Sequence, residues 1–240
     1  MSGRLDGRVI CITGASRGLG KALAKAFDAE GARLVLGART TPELDEVAAN
    51  CQDAIAVQTD VRDPREVQAL IDAAVGEYGQ LDVMINNAGL AVYGPAGSYT
   101  PDDIDRIIDT NVKGVIHGSQ CAYLVMKTQR SGRIFNISST AGKMHLPNES
   151  VYNASKWAVT GFTGTLAMEA RAYNVQVSNI CPGGIATPFW KSQEFLPFPD
   201  KYDPERDFMQ PAQVARMIVE LACTSPELVA SEVTLQPMLF

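Results

Sequence analysis

A chain of 240 residues with 46% hydrophobic and 20% charged side chains has ordinary globular composition and enough length for one large core. Its 27 acidic against 21 basic residues leave a formal net charge of −6, which excludes the broad basic field that nucleic acid or an anionic membrane surface would require. Five scattered cysteines (Cys11, Cys51, Cys121, Cys181, Cys223) without a C-x-x-C pair read as buried, reduced thiols, and no signal-like segment or run of ~18 apolar residues occurs, so a cytoplasmic protein without a membrane partner is expected.

The first apolar run, 8–13, leads straight into TGASRGLG (13–20), where Gly14, Gly18 and Gly20 precede a helical pattern closed by Gly31. Glycines at a strand-to-helix turn let the backbone approach a pyrophosphate, and the helix N-terminus offers unpaired N–H groups and a partial positive charge; a phosphate is expected to dock here. The second run, 33–38, ends on Ala38 and then Arg39, where an acid would accept from a free ribose 2′-hydroxyl. Arg39, with Arg17 in the glycine turn, suits a 2′-phosphate instead, so NADP(H) is expected over NAD(H). Thr40 with Glu43 fits a capping box and Thr41 before Pro42 fits a cap one residue later, so a helix starts here in either register.

Further β-branched and apolar runs at 54–59, 81–86, 132–138 and 175–181 alternate with segments of helical length such as 63–78 and 102–129. Near-continuous apolar strands separated by helices predict an α/β, doubly wound parallel sheet with helices on both faces, in a single domain spanning 1–240. Within SVYNASKWAV (150–159), Tyr152 and Lys156 share one helical face, and an ammonium beside a phenol lowers a pKa that starts at about 10. Taken alone, such a pair would merely decorate a solvated helix. The segment 187–211, rich in aromatics and prolines and without a clean period, reads as an insertion over one face of the sheet. Trp190, Phe195, Phe198 and Tyr202 either close over an apolar or ring-bearing substrate or pack the segment onto its own domain. The two histidines, His117 and His145, have no acid or cysteine at ligand spacing, so no metal site and no Ser–His–Asp hydrolase is expected. His145 and Met144 read as loop residues with pocket lining as the alternative, and Trp157 and Phe162 as core or subunit-interface residues.

TGASRGLG, NNAG (86–89), Asn111, NISS (136–139), YNASK (152–156) and PGGIAT (182–187), in that order, resemble the short-chain dehydrogenase/reductase family, closely over 5–187 and more loosely beyond. The resemblance implies a single Rossmann-like domain with a seven-stranded parallel sheet, commonly a homotetramer or dimer. It implies hydride transfer between a nicotinamide dinucleotide and a small-molecule carbonyl or alcohol. Carried over, Tyr152 resembles the general acid/base, and Lys156 the partner that lowers its pKa and holds the nicotinamide ribose. Ser139, with Ser138 as the competing choice, resembles the residue that holds the substrate oxygen, and Asn111 the helix residue behind the lysine that holds a relay water. Gly14, Ser16, Arg17, Gly18, Leu19 and Gly20 resemble the phosphate turn, Asp60 and Val61 the adenine contact, and Asn87, Ala88 and Gly89 the adenosine-ribose loop. Pro182 and Gly183 resemble cofactor-binding positions, and Ile185 with Thr187 the nicotinamide carboxamide clamp. The ending ASEVTLQPMLF departs from the family's commoner glycine-rich last strand. A catalytically idle NADP(H)-binding regulatory or scaffold protein is the alternative from another class, since a fold does not fix a function.

Overall fold

A computed structural model of the chain describes residues 3–198 and 202–238. Seven strands, β1 (Val9–Thr13), β2 (Arg33–Ala38), β3 (Ala54–Gln58), β4 (Val83–Asn86), β5 (Gly132–Ile137), β6 (Val175–Pro182) and β7 (Glu232–Leu235), form one sheet in the order β3-β2-β1-β4-β5-β6-β7. Every pairing is parallel. The order reverses between β1 and β4, and the crevice beyond the C-terminal ends of the strands at such a reversal is where open α/β sheets take their ligands.

The helices are α1 (Gly18–Asp28), α2 (Thr41–Ala49), α3 (Pro64–Tyr78), α4 (Pro101–Ile108), α5 (Gly114–Gln129), α6 (Ser150–Ala170), α7 (Pro204–Asp207) and α8 (Pro211–Ala222). Alternate strand residues face opposite layers. Ile10, Ile12, Leu34, Leu36 and Ile85 pack against Leu23, Phe27, Leu44 and Ile218 of α1, α2 and α8. Val9, Cys11, Val35 and Met84 pack against Leu70, Ile71, Ala122, Met126 and Leu166 of α3, α5 and α6. Burial on both faces is why the strands read as continuous apolar runs rather than alternating ones.

Local chemistry fixes the helix ends. Asp63 caps α3 by accepting from the Arg65 N–H, and Gly79 ends it in the left-handed conformation at φ 77°. Thr100 and Asp103 form the reciprocal capping box of α4. Thr40 precedes α2 as expected, but the Thr40–Glu43 box does not form. Pro42 removes one of the N–H groups that a cap would satisfy, and Glu43 stays in solvent. The expected helix 102–129 is divided: between α4 and α5, Asp109–Lys113 widen into a π-helical turn, with the Gly114 N–H reaching back to the Asp109 carbonyl.

Of the cysteines, Cys11 and Cys181 are buried as expected, whereas Cys51, Cys121 and Cys223 are half-buried; all five are free thiols. Among the described residues no helix is long and apolar enough to cross a membrane. The 187–211 segment is pinned by an isolated parallel bridge between Ile185 and Met209, and holds a 3-10 turn (Trp190–Ser192) and α7; residues 199–201 of it lie outside the described residues.

Candidate active site

At the first crossover, β1 stops at Thr13 and the chain turns through Gly14 (φ 65°) and Gly18 (φ 56°), both left-handed. A Cβ on Gly14 would stand 2.9 Å from the Ala88 Cα, and one on Gly20 would overlap the Gly14 carbonyl. Arg17 precedes α1 without a side-chain cap, so the first N–H groups of the helix have no internal partner and face the turn. Ser16 lies half-buried in that turn, and Leu19 joins the core from the first turn of α1. The Thr13 hydroxyl accepts from the Asn87 and Ala88 N–H groups at 3.0 and 3.1 Å, and Asn87 Nδ2 donates to the Thr13 carbonyl at 2.9 Å. These bonds tie the 86–89 loop to the glycine turn. Backbone this close, with a bare helix N-terminus behind it, fits a dinucleotide pyrophosphate.

Arg17 and Arg39 are exposed, and among the described residues neither forms an ion pair. Asp60, by contrast, is gripped by Arg62 (Nη2–Oδ2 2.6 Å), which holds its carboxyl below the usual range, with Arg39 adding to the shift. Val61 is buried beside it, its carbonyl 3.1 Å from His117 Nδ1. At the far side of the cleft, Pro182 closes β6, the Gly183 N–H donates to the Leu235 carbonyl at 2.8 Å, and the Ile185 carbonyl accepts from Trp190 Nε1 at 2.7 Å. Thr187 reaches back over the glycine turn, its Cβ 3.4 Å from where a Gly18 Cβ would stand.

Tyr152 and Lys156 lie one turn apart on α6, with Lys156 Nζ 5.6 Å from the Tyr152 ring centre. Nζ donates to the Ile137 carbonyl at 2.9 Å, and burial draws the lysine pKa down to about 8. The expected lowering of the tyrosine pKa is not what the environment produces: desolvation pushes the phenol above its ordinary range, outweighing a hydrogen bond from Ser139 that favours the phenolate. Ser138 has other work, its hydroxyl bonded to the Lys156 carbonyl at 3.1 Å and shared with Thr160, which leaves Ser139 as the hydroxyl beside Tyr152.

Asn111 sits in the π-helical turn and is fully buried; its side chain accepts from the Leu90 N–H (2.9 Å) and donates to the Leu90 carbonyl (2.8 Å) and to Ser155 Oγ (3.1 Å). Gly89 brings its backbone against this group, since a Cβ there would stand 3.3 Å from Asn111 Oδ1 and 3.7 Å from Lys156 Nζ. The 86–89 loop, the π-helical turn and Lys156 of α6 are thereby joined.

Several residues escaped sequence reasoning. A buried polar ladder links Asn86, Ser119, Asn136 and Thr163 across β4, β5 and two helices at 2.8–3.1 Å. Tyr93, in the loop before α4, sets its ring edge-on to Tyr152 (5.6 Å, 75°) and stacks on Trp190 (6.0 Å, 11°). Trp190 in turn meets Phe198 and Phe208 at 5.3 and 5.1 Å, so the aromatics of 187–211 connect to Tyr152 through Tyr93. Glu149, just ahead of α6, is buried, and its carboxyl is raised to about 7 by burial alone. A tyrosine four residues past NNAG, and an acid three residues before Tyr152, were the available signals. Trp157 is not in the core; it is 43% exposed and stacks on His145 at 5.6 Å, while Phe162 packs partly buried against the helical layer. Among the described residues no group of three or more His, Cys, Asp or Glu could hold a metal ion.

The family model for short chain dehydrogenases matches residues 8–195. The chain belongs to the short-chain dehydrogenase family. It is 34% identical over 250 residues to a versicolorin reductase of Emericella nidulans, covering 96% of this chain and 94% of that one. Among solved structures, a metagenomic short-chain oxidoreductase in complex with NADP matches with a TM-score of 0.83 at 29% identity, over 99% of this chain and 100% of that one. A 3-ketoacyl-(acyl-carrier-protein) reductase from Brucella melitensis, complexed with NADH, matches with a TM-score of 0.88 at 28% identity, over 97% and 98%. This short-chain dehydrogenase is therefore an oxidoreductase of carbonyl and alcohol groups that works with a nicotinamide dinucleotide.

Proposed function

We propose that this short-chain dehydrogenase reduces a small or medium carbonyl compound with NADPH, and that Tyr152 is its proton donor. The observation that carries the reading is the convergence of Tyr152, Ser139 and Lys156 with Gly89 and Asn111, at the strand ends where the glycine turn opens. When bound, the reduced dinucleotide supplies the hydride and is left oxidised. As the carbonyl carbon accepts it, the C=O π bond opens and the oxygen takes the Tyr152 proton, with the Ser139 hydroxyl donating to the same oxygen. Removing one such donor typically costs about 3 kcal/mol of barrier. Lys156, titrating at about 8, returns a proton to the phenolate, and the buried bonds of Asn111 hold the π-helical turn behind it. Arg39 and Arg17 are the cations that receive the 2′-phosphate, with Ala38 leaving no competing acid. Asp60 and Val61 hold the adenine, and Ile185 and Thr187 the carboxamide.

The aromatic cluster of Tyr93, Phe189 and Trp190 supports a substrate-covering role for 187–211. Exposed Leu124, Trp157 and Met168 on α5 and α6 support a dimer or tetramer, and the free cysteines suit the cytoplasm. The test is consumption of NADPH and of NADH over a panel of aldehydes, ketones, quinones and 3-oxo acids. Faster turnover with NADPH is expected; binding of NADPH without turnover of any member would favour an idle binding protein.

A further inference from the structure

Asn153, the residue after Tyr152, takes no part in the reading above, yet only 7% of its surface is exposed. Its side-chain Nδ2 donates to the Ala141 carbonyl at 2.9 Å and to the Met144 carbonyl at 2.6 Å. Both neighbours are acceptors, so the amide has to present its NH2 to them. Its Oδ1 is buried with no hydrogen-bond partner among the described residues, a desolvation cost that the two donated bonds offset. What the amide supplies at this position is its pair of donors. Ala141 is thereby gripped at both ends: its carbonyl accepts from Asn153, and its N–H donates to Ser139 Oγ at 3.1 Å. The second bond occupies a lone pair of the Ser139 hydroxyl and leaves its O–H free to donate elsewhere. Bonds within the turn, from the Gly142 N–H to the Ser139 carbonyl (2.9 Å) and from the Met144 N–H to the Thr140 carbonyl (3.1 Å), fix its shape. The Lys143–Glu232 ion pair (2.8 Å) ties its far side to β7, and the Ser138 hydroxyl joins the strand end to α6 one turn further on, at Lys156. The Asn153 amide ties the turn to the residue beside the tyrosine.

We infer that Asn153 is a positioning residue for the reaction: through Ala141 it sets the direction in which the Ser139 hydroxyl meets the carbonyl oxygen beside Tyr152. The assignment rests on the reductase reading of Ser139 and Tyr152. Consecutive Cα atoms are about 3.8 Å apart, so a bond from residue 153 couples the serine turn to the backbone that carries the proton donor. The Asn153 N–H donates to the Glu149 carbonyl at 2.7 Å, which holds the amide on the first turn of α6. Behind the turn there is no slack, since a Cβ on Gly142 would stand 2.8 Å from the Lys156 carbonyl oxygen. A hydrogen-bond donor aimed at a developing oxyanion acts mainly in the transition state, so misdirecting it lowers kcat while leaving binding of ketone and dinucleotide nearly intact.

The test measures kcat and KM for the best ketone of the panel, and NADPH binding by fluorescence, in wild type, Asn153→Ala, Ser139→Ala and the double variant. Asn153→Ala should lower kcat about tenfold with KM and NADPH affinity changed less than about twofold, a part of the ~10²-fold that losing an oxyanion donor costs. In the Ser139→Ala background the same change should cost less than about twofold, because the residue through which Asn153 acts is gone. Asn153→Ser, whose hydroxyl keeps one donor, should fall between wild type and Asn153→Ala, and it supplies the same comparison in both backgrounds if the alanine variant does not fold. Equal factors in the two backgrounds, or a lowered thermal midpoint with wild-type kcat, would show a merely structural amide and overturn the assignment, while a loss in Ser139→Ala alone upholds the reductase reading. Wild-type turnover in Ser139→Ala removes the role of Ser139 and the assignment with it. No turnover of any ketone removes both readings.

Discussion

The two ends of the cleft are built differently. The nucleotide end is made of backbone: Gly14 and Gly18 in left-handed turns, the bare start of α1, and Asn87 and Ala88 bonded to Thr13. The end around Tyr152 is made of side chains from three distant stretches: Tyr93 from the loop before α4, Tyr152 at the start of α6, and Trp190 from the segment after β6. A backbone cradle constrains residue type at fixed local spacing, whereas a side-chain wall constrains only what meets across the fold. On the function proposed above, the first holds the dinucleotide and the second meets the substrate.

Four substitutions sharpen that contrast, from the largest expected effect to the smallest. Arg39→Asp replaces a charge-assisted hydrogen bond to phosphate with repulsion, and should lower the NADPH-to-NADH ratio of affinities about a hundredfold, read by fluorescence titration. Glu149 binds a proton in the folded state up to about 7 against 4.5 for the ordinary carboxyl. Between those values the folded protein holds more protons than the unfolded chain, so stability falls as pH rises through this window. Relative to Glu149→Gln, wild type should lose on the order of 2–3 kcal/mol from pH 4.5 to 7, measured by denaturant unfolding. Gly14→Ala puts a Cβ into a left-handed turn and against Ala88, and should lower the thermal midpoint by about 2–8 °C and weaken both dinucleotides alike. Trp190→Ala removes the stack on Tyr93, and should raise KM several-fold for ring-bearing ketones with kcat little changed. Equal losses for open-chain and ring substrates would break the contrast.

The same difference explains what was legible in the sequence. The runs at 33–38, 54–59 and 132–138 became strands within a residue of their ends, because burial on both faces writes itself as continuous apolar sequence. The glycine turn was legible because glycine is the residue that its φ values require. The π-helical turn at Asn111 was not, since one extra residue in a helical turn leaves the apolar period of 102–129 almost undisturbed. Ser119 and Thr163 stand on otherwise apolar helix faces and gain meaning only from Asn136 between them. Tyr93 was missed for the same reason, as its ring partners Tyr152 and Trp190 come from other stretches, and Glu149 because its burial is not written in its spacing. The pKa of Tyr152 shows the limit of pairwise reasoning: the Tyr–Lys spacing was legible, but burial, which no spacing encodes, moves both groups.

The central claim, that Tyr152 delivers the proton to a carbonyl oxygen, is tested most directly by Tyr152→Phe, assayed for NADPH consumption with the best ketone of the panel alongside NADPH binding by fluorescence. Turnover should fall about 10²–10⁴-fold while NADPH binding is retained. Wild-type turnover in that variant would contradict the claim.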